Sequence, residues 1–153
     1  MILAASERIG APRDFVFARA VEFDRLIRAA EARGAEVRPP EQDGDRLRCA
    51  LRYPFRDSLW PVVLVLQGTT PPEEMEIAVE GEVALALGSV RFLALGSDAT
   101  QVDLRAELKP RNMQGRLLIG SLHVLRGRLQ DRLDRDLAAM GRAAETLWQT
   151  DRP

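Results

Sequence analysis

The sequence predicts an α+β fold: an antiparallel sheet of six to seven strands, two short helices after the first strand, and one long helix at the end of the chain. Three patterns carry this expectation. Between residues 46 and 109, apolar and polar side chains alternate with a period of two, broken by short connections rich in Gly, Pro and Asp. Between 12 and 34 the period is that of a helix. From Leu118 to Leu147 apolar residues recur every three or four positions, the spacing that keeps them on one stripe of a helix.

Each element has its own signal. ILAASERI (2–9) has the length of a strand and ends where Gly10 and Pro12 interrupt it. Pro12 suits the first turn of a helix, and Phe15, Val16, Ala18 and Ala20 continue it. After a break, Phe23, Leu26, Ile27 and Ala30 keep helical spacing up to Gly34, a C-terminal cap. AEVRP is extended and QDGD (42–45) is a turn. RLRCALRY then sets Leu47, Cys49, Leu51 and Tyr53 against Arg48, Ala50 and Arg52, a half-buried hairpin strand. Pro54 opens a nine-residue loop, YPFRDSLWP, before LWPVVLVLQG resumes the strand pattern. Further strands are expected at EMEIAVEG (74–81), EVALALGSVRFLAL (82–95) and TQVDLRAELK (100–109), with a bulge or sharp bend at Gly88 and Ser89. Asn112 caps the closing helix, which is expected to run on for about nine turns.

Composition narrows the function classes. A chain of 153 residues fits one domain, expected over 1–150, and can bury a real core. Its 22 Lys and Arg nearly cancel 23 Asp and Glu, and the two signs are interleaved, so no basic stripe marks a nucleic-acid partner. MILAASERIG lacks the charged and apolar regions of a signal peptide, and the longest apolar runs are far shorter than the roughly 20 residues of a membrane span. The expectation is a soluble, cytoplasmic protein without an integral membrane segment, either monomer or homodimer. Cys49 is the single cysteine, so neither an internal disulfide nor a zinc site is expected, and no cofactor is expected. Glycines 81, 88 and 96 are spaced as strand punctuation rather than as a phosphate cradle.

The order of elements carries a resemblance. ILAASERIGAPRDFVFARAVEFDRL at the start, and DLRAELKPR leading into GRLLIGSLHVLRGRLQDRLDRDLAAM at the end, resemble the SRPBCC superfamily. These START-like or helix-grip proteins include polyketide cyclase/dehydrase-like proteins and birch-pollen-allergen-like lipid binders. The resemblance spans essentially the whole chain and is one of pattern, without a transferable catalytic signature. It implies a strongly curved antiparallel sheet gripping the long helix, with a cavity between the two layers.

The residues speak to that cavity in part. Ala84, Ala86, Gly88, Ala94, Gly96 and Ala106 are small residues within or beside strands. They either leave room inside or accommodate the leucines of the helix. Tyr53, Phe55 and Trp60 gather three of the eight aromatics in one connection, where they either line a pocket mouth or tie the loop down. Phe92, Leu118 and Leu122 complete the apolar candidates for ligand contact. At about 100° per residue, Arg126 falls near the centre of the stripe of Leu118, Leu122, Leu129 and Leu133. A guanidinium in a desolvated cleft requires a partner, either an acidic side chain or the polar end of a ligand. Alternatively its stem covers apolar surface while its head reaches water.

His123 is the only histidine, and no serine or cysteine is visibly paired with it for nucleophilic catalysis. Cys49 reads as a small buried hydrophobe. Two functions follow. One is binding of a hydrophobic or amphipathic small molecule (lipid, isoprenoid or polyketide-like) for transport, sequestration or sensing. The other is a cofactor-independent cyclase- or dehydratase-like enzyme in which one polar pocket residue moves a proton. Docking of a protein partner on an exposed apolar patch is a third class.

Overall fold

A computed structural model describes residues 1–151. The elements run β1 (Ile2–Ile9), α1 (Arg13–Ala20), α2 (Phe23–Ala32), β2 (Glu36–Val37), β3 (Glu41–Asp43), β4 (Arg46–Phe55), β5 (Ser58–Thr70), β6 (Glu74–Gly81), β7 (Ala84–Ala94), β8 (Thr100–Pro110), α3 (Met113–His123) and α4 (Arg126–Asp151). All strand pairs are antiparallel, in the order β1-β8-β7-β6-β5-β4-β2, with β3 also on β4. The sheet therefore has eight strands. The excess over the sequence expectation lies in β2 and β3, of two and three residues, too short to show a period.

Alternation assigns the inner face. Leu47, Cys49, Leu51 and Tyr53 of β4 stand opposite Leu66, Leu64, Val62 and Trp60 of β5. The same face continues through Met75, Ile77 and Val79 of β6, the even positions 84–94 of β7, and Val102, Leu104, Ala106 and Leu108 of β8. At one end of this face α1 and α2 close a packed core, where Phe17 and Phe92 meet edge to face at 5.3 Å and Val16, Phe23, Ile27, Cys49, Leu64 and Val102 are buried. Burying each such side chain contributes about 1.5–3 kcal/mol.

Two local expectations are corrected. The stretch YPFRDSLWP is not a loop: β4 and β5 pair out to Phe55 and Ser58, leaving Arg56 and Asp57 as a tight turn with Arg56 at φ 58°. Pro54 and Pro61 permit this because both lie beyond the second neighbour of their strand. The β2–β4 ladder stops at Arg52 and the β5–β6 ladder starts at Val62. Gly88 marks no bulge, since β6, β7 and β8 stay in register through it. Its role is close approach: a Cβ there would lie 2.9 Å from Ile77 Cγ2. The register shift falls instead in β5 between Gln67 and Thr70, beside Gly68 at φ 64°.

The closing helix is capped by Asn112, whose Oδ1 accepts from Gly115 N at 2.9 Å. It is broken at Val124 and Leu125 into α3 and the long α4. Gly120 and Gly127 flank the break, each costing about 1 kcal/mol of helix propensity relative to Ala. α4 lies against β1, the edge strand. It covers that edge with polar side chains: Arg126 donates to Ile2 O at 3.0 Å, Gln130 to Ala4 O at 2.6 Å, and Glu145 accepts from Gly10 N at 2.7 Å. Gly141 lets the helix approach, with Ile9 Cγ1 only 3.1 Å from where a Cβ would stand.

Candidate ligand-binding cleft

The inner face is packed at one end only. Phe92 and Val102 are 2% and 3% exposed, yet two and four residues further along the same strands Val90, Gly88, Leu104 and Ala106 are half-buried. So are Ile77, Val79, Ala84, Ala86 and Leu108. These residues belong to central strands with helices on the same side. Close packing of α3 and α4 on them would have buried them as it buries Val102. This half of the inner face is therefore less closely covered by the C-terminal helices than the end around Phe92.

Small side chains form its centre, the floor of the candidate cleft. Gly88 pairs with Ala106 on one side and Ile77 on the other, and Ala86 with Leu108 and Val79. Five of the six small residues singled out in the sequence, Ala84, Ala86, Gly88, Ala94 and Ala106, share this face; Gly96 lies beyond β7 at φ 141°. The roof carries Leu118 and Leu122 of α3 and Leu129 and Leu133 of α4, all half-buried.

The aromatic group forms one wall. Tyr53 and Trp60 are cross-strand partners, and the Phe55 and Trp60 rings meet edge to face at 5.8 Å. Trp60 Nε1 donates to Ser58 Oγ at 2.9 Å, so its polar atom is satisfied while the ring is left to apolar contact. From the turn at the end of this wall, Arg56 reaches Ser121 Oγ of α3 at 3.2 Å with its guanidinium 5.3 Å from the Phe55 ring centre. This bond bridges the hairpin tip and the helix.

Tyr53, Phe55 and Trp60 lie together on the β4–β5 hairpin and Leu118 and Leu122 are half-buried on α3, while two other candidates are engaged elsewhere. Phe92 belongs to the packed core against Phe17. Arg126 is exposed and holds the β1 edge through Ile2 O. His123 is exposed on α3. Cys49 is 1% exposed and donates to Arg38 O at 3.3 Å, and burial, with Glu31 adding to it, raises its thiol pKa. Its thiol is thus kept protonated and covered.

Sequence reasoning missed a charged pair. Arg33, just after α2, pairs with Asp136 of α4 at 2.9 Å. Asp136 foremost, then Tyr53, raise the Arg33 pKa. Arg33 and Asp136 are separated by 103 positions, so no local pattern could have joined them.

A concavity of about 660 Å³ lies between α2 and the β3–β4 hairpin. Arg19, Glu22, Asp24, Arg25, Arg28 and Glu41 line it, and Arg19 and Arg25 pair with Glu22 inside it. That lining suits water better than an apolar ligand. Among the described residues no group of His, Cys, Asp or Glu is placed to hold a metal ion, and no helix is long and apolar enough to cross a membrane.

No family model and no curated protein matches the sequence. Solved structures do match. A protein of Thermus thermophilus is 18% identical over 96% of this chain and 99% of that one, with a TM-score of 0.68. An aromatase/cyclase from Streptomyces sp. R1128 is 15% identical over 95% of this chain and 93% of that one, with a TM-score of 0.65. A START superfamily protein from Mycobacterium smegmatis is 13% identical over 86% of this chain and 95% of that one, with a TM-score of 0.53. At these identities the likeness is one of fold.

Proposed function

The chain has the START-like (SRPBCC) helix-grip fold, and on that premise we propose that it binds a hydrophobic or amphipathic small molecule in the cleft between the sheet and the C-terminal helices. The observation that carries the reading is the split of the inner face, buried around Phe92 and Val102 and half-buried around Gly88 and Ala106. Apolar surface left in contact with water inside a fold costs about 25 cal/mol per Å², so a ligand that displaces this water gains the same amount. Alanines and a glycine on the floor leave space for a rigid or branched skeleton. The hydrogen-bonding groups at the rim, Tyr53 and the Arg33–Asp136 pair, suit a ligand with one polar end. Transport, sequestration and sensing all use such a site.

A second reading rests on the Tyr53 hydroxyl. It is the titratable group of the aromatic wall, and an aromatase/cyclase shares the fold. In a small cofactor-independent enzyme the cleft would fold the substrate and Tyr53 would move the proton. The two readings separate in one experiment. Native mass spectrometry of the purified chain, followed by organic extraction, is expected to show an apolar compound bound one to one. If the Tyr53→Phe variant carries the same compound unaltered, binding is the function. A compound that differs chemically between the two proteins assigns catalysis instead. A chain that carries nothing and binds no apolar dye would overturn both.

A further inference from the structure

α3 is apolar on both sides. Its inward side presents Gly115, Leu118, Ile119 and Leu122, and Gly115 packs so closely on the β6–β7 turn that a Cβ would overlap Val83 O. Its outward side carries Met113, Leu117 and Val124, which at about 100° per residue fall within about 40° of one another. Val124 keeps helical dihedral angles, φ −64° and ψ −29°, so the stripe continues to the break. These three are the most exposed large apolar side chains among the described residues, at 66%, 70% and 85%. An apolar stripe on the outward side of a helix whose inward side is already packed is unexpected at a surface in contact with water alone.

The charge around it is predominantly positive. From Leu108 to Gln130 the chain carries Lys109, Arg111, Arg116, Arg126 and Arg128 and no Asp or Glu, although acids and bases are balanced over the whole chain. The turns that α3 touches add Glu82 on one side and Asp57 with Arg56 on the other, which leaves the region cationic. An exposed apolar stripe flanked by arginines complements an anionic bilayer surface: the stripe enters the acyl boundary while the guanidinium groups meet phosphate.

We propose that α3 docks the protein on an anionic lipid surface through Met113, Leu117 and Val124, with Lys109, Arg116 and Arg128 at the headgroups. α3 is also the helix whose inward leucines roof the cleft, so docking sets the bond between Arg56 and Ser121 beside the lipid. The proposal deepens the binding reading by naming where an apolar ligand would enter and leave. Vesicle binding is measured without a cleft ligand, so its failure leaves the cleft reading intact.

The test is co-sedimentation of the full chain with vesicles of phosphatidylcholine alone, and with phosphatidylglycerol added. Binding is expected to the mixed vesicles only, and to weaken as salt rises. Leu117→Asp with Val124→Asp should lower the affinity at least about tenfold. Arg116→Gln and Arg128→Gln should each lower it about fivefold. All four positions are exposed, so circular dichroism melting should match the parent chain. Absence of binding at low salt, or binding indifferent to these substitutions, would overturn the proposal. So would a homodimer in solution that Leu117→Asp separates, because a second copy would then cover the stripe.

Discussion

Gly88 of β7 stands directly opposite Ala106 of β8, so at the centre of the inner face two neighbouring strands present a hydrogen atom and a methyl group to the helices. Ile77 of β6 and Leu3 of β1 flank this pair at the same level, and the leucines at 118 and 122 of α3 are only half-buried. Filling the space is the first test. Ala106→Leu and Ala86→Phe should lower the affinity for an apolar fluorescent dye about tenfold or more, while the thermal midpoint stays level or rises as a gap is filled. A loss of stability of about 1–3 kcal/mol in both variants would indicate a floor already packed.

Arg126 ties α4 to the edge of the sheet. Replacing it with Leu removes the bond to Ile2 O and should cost about 0.5–1 kcal/mol in chemical denaturation, with dye affinity unchanged, since this exchange with water is partly compensated at an exposed site. Gln130→Leu should act the same way through Ala4 O. A fall in ligand affinity without loss of stability would return Arg126 to the ligand site.

The bond between Arg56 and Ser121 joins the β4–β5 hairpin tip to α3 through two exposed side chains. Arg56→Ala or Ser121→Ala should change stability by no more than about 0.5 kcal/mol. Both should speed dye association and dissociation severalfold in stopped-flow traces while leaving the equilibrium affinity nearly constant. Unchanged rates would mean that ligands pass elsewhere.

Asp103 supplies the pH test. Its carboxylate accepts from Ser6 Oγ at 2.6 Å and Gln101 Nε2 at 2.9 Å, and these bonds, in that order, with Arg91 further off, hold its pKa below the ordinary carboxylate range. A folded pKa below the unfolded one stabilises the fold fully above the unfolded value of about 3.9 and loses that contribution as the pH falls through the folded value. The gap in thermal midpoint between the parent chain and Asp103→Asn should therefore be constant from neutral pH to about pH 5 and close in stronger acid. A gap that persists unchanged in acid would assign it to shape rather than charge.

How much of this was legible in the sequence differs by element. β1 runs from Ile2 to Ile9 as its length and the break at Gly10 and Pro12 indicate, and β6 runs from Glu74 to Gly81, where a period of two with one buried face leaves no other register. The Asn112 cap was equally local. The hairpin at Arg56 was not, because Pro54 and Pro61 read as strand breakers until the ladders on either side are known to end before them. The small residues and the aromatic wall were visible as composition, but that they share one face depended on the register of five strands. Arg126 was legible as an anomaly and illegible as to cause: its partner, a backbone carbonyl 124 positions away, has no sequence signature. The same holds for Arg33 and Asp136.

The most direct measurement is a crystal structure of the chain with a brominated fatty acid, in which anomalous scattering locates the bromine without reference to the protein density. With the alkyl chain in the cleft, the peak falls between the floor of Gly88 and Ala106 and the leucines at 118 and 122. A peak in the charged concavity beside α2, or a tightly bound fatty acid seated outside the sheet and the C-terminal helices, would contradict a ligand site between them.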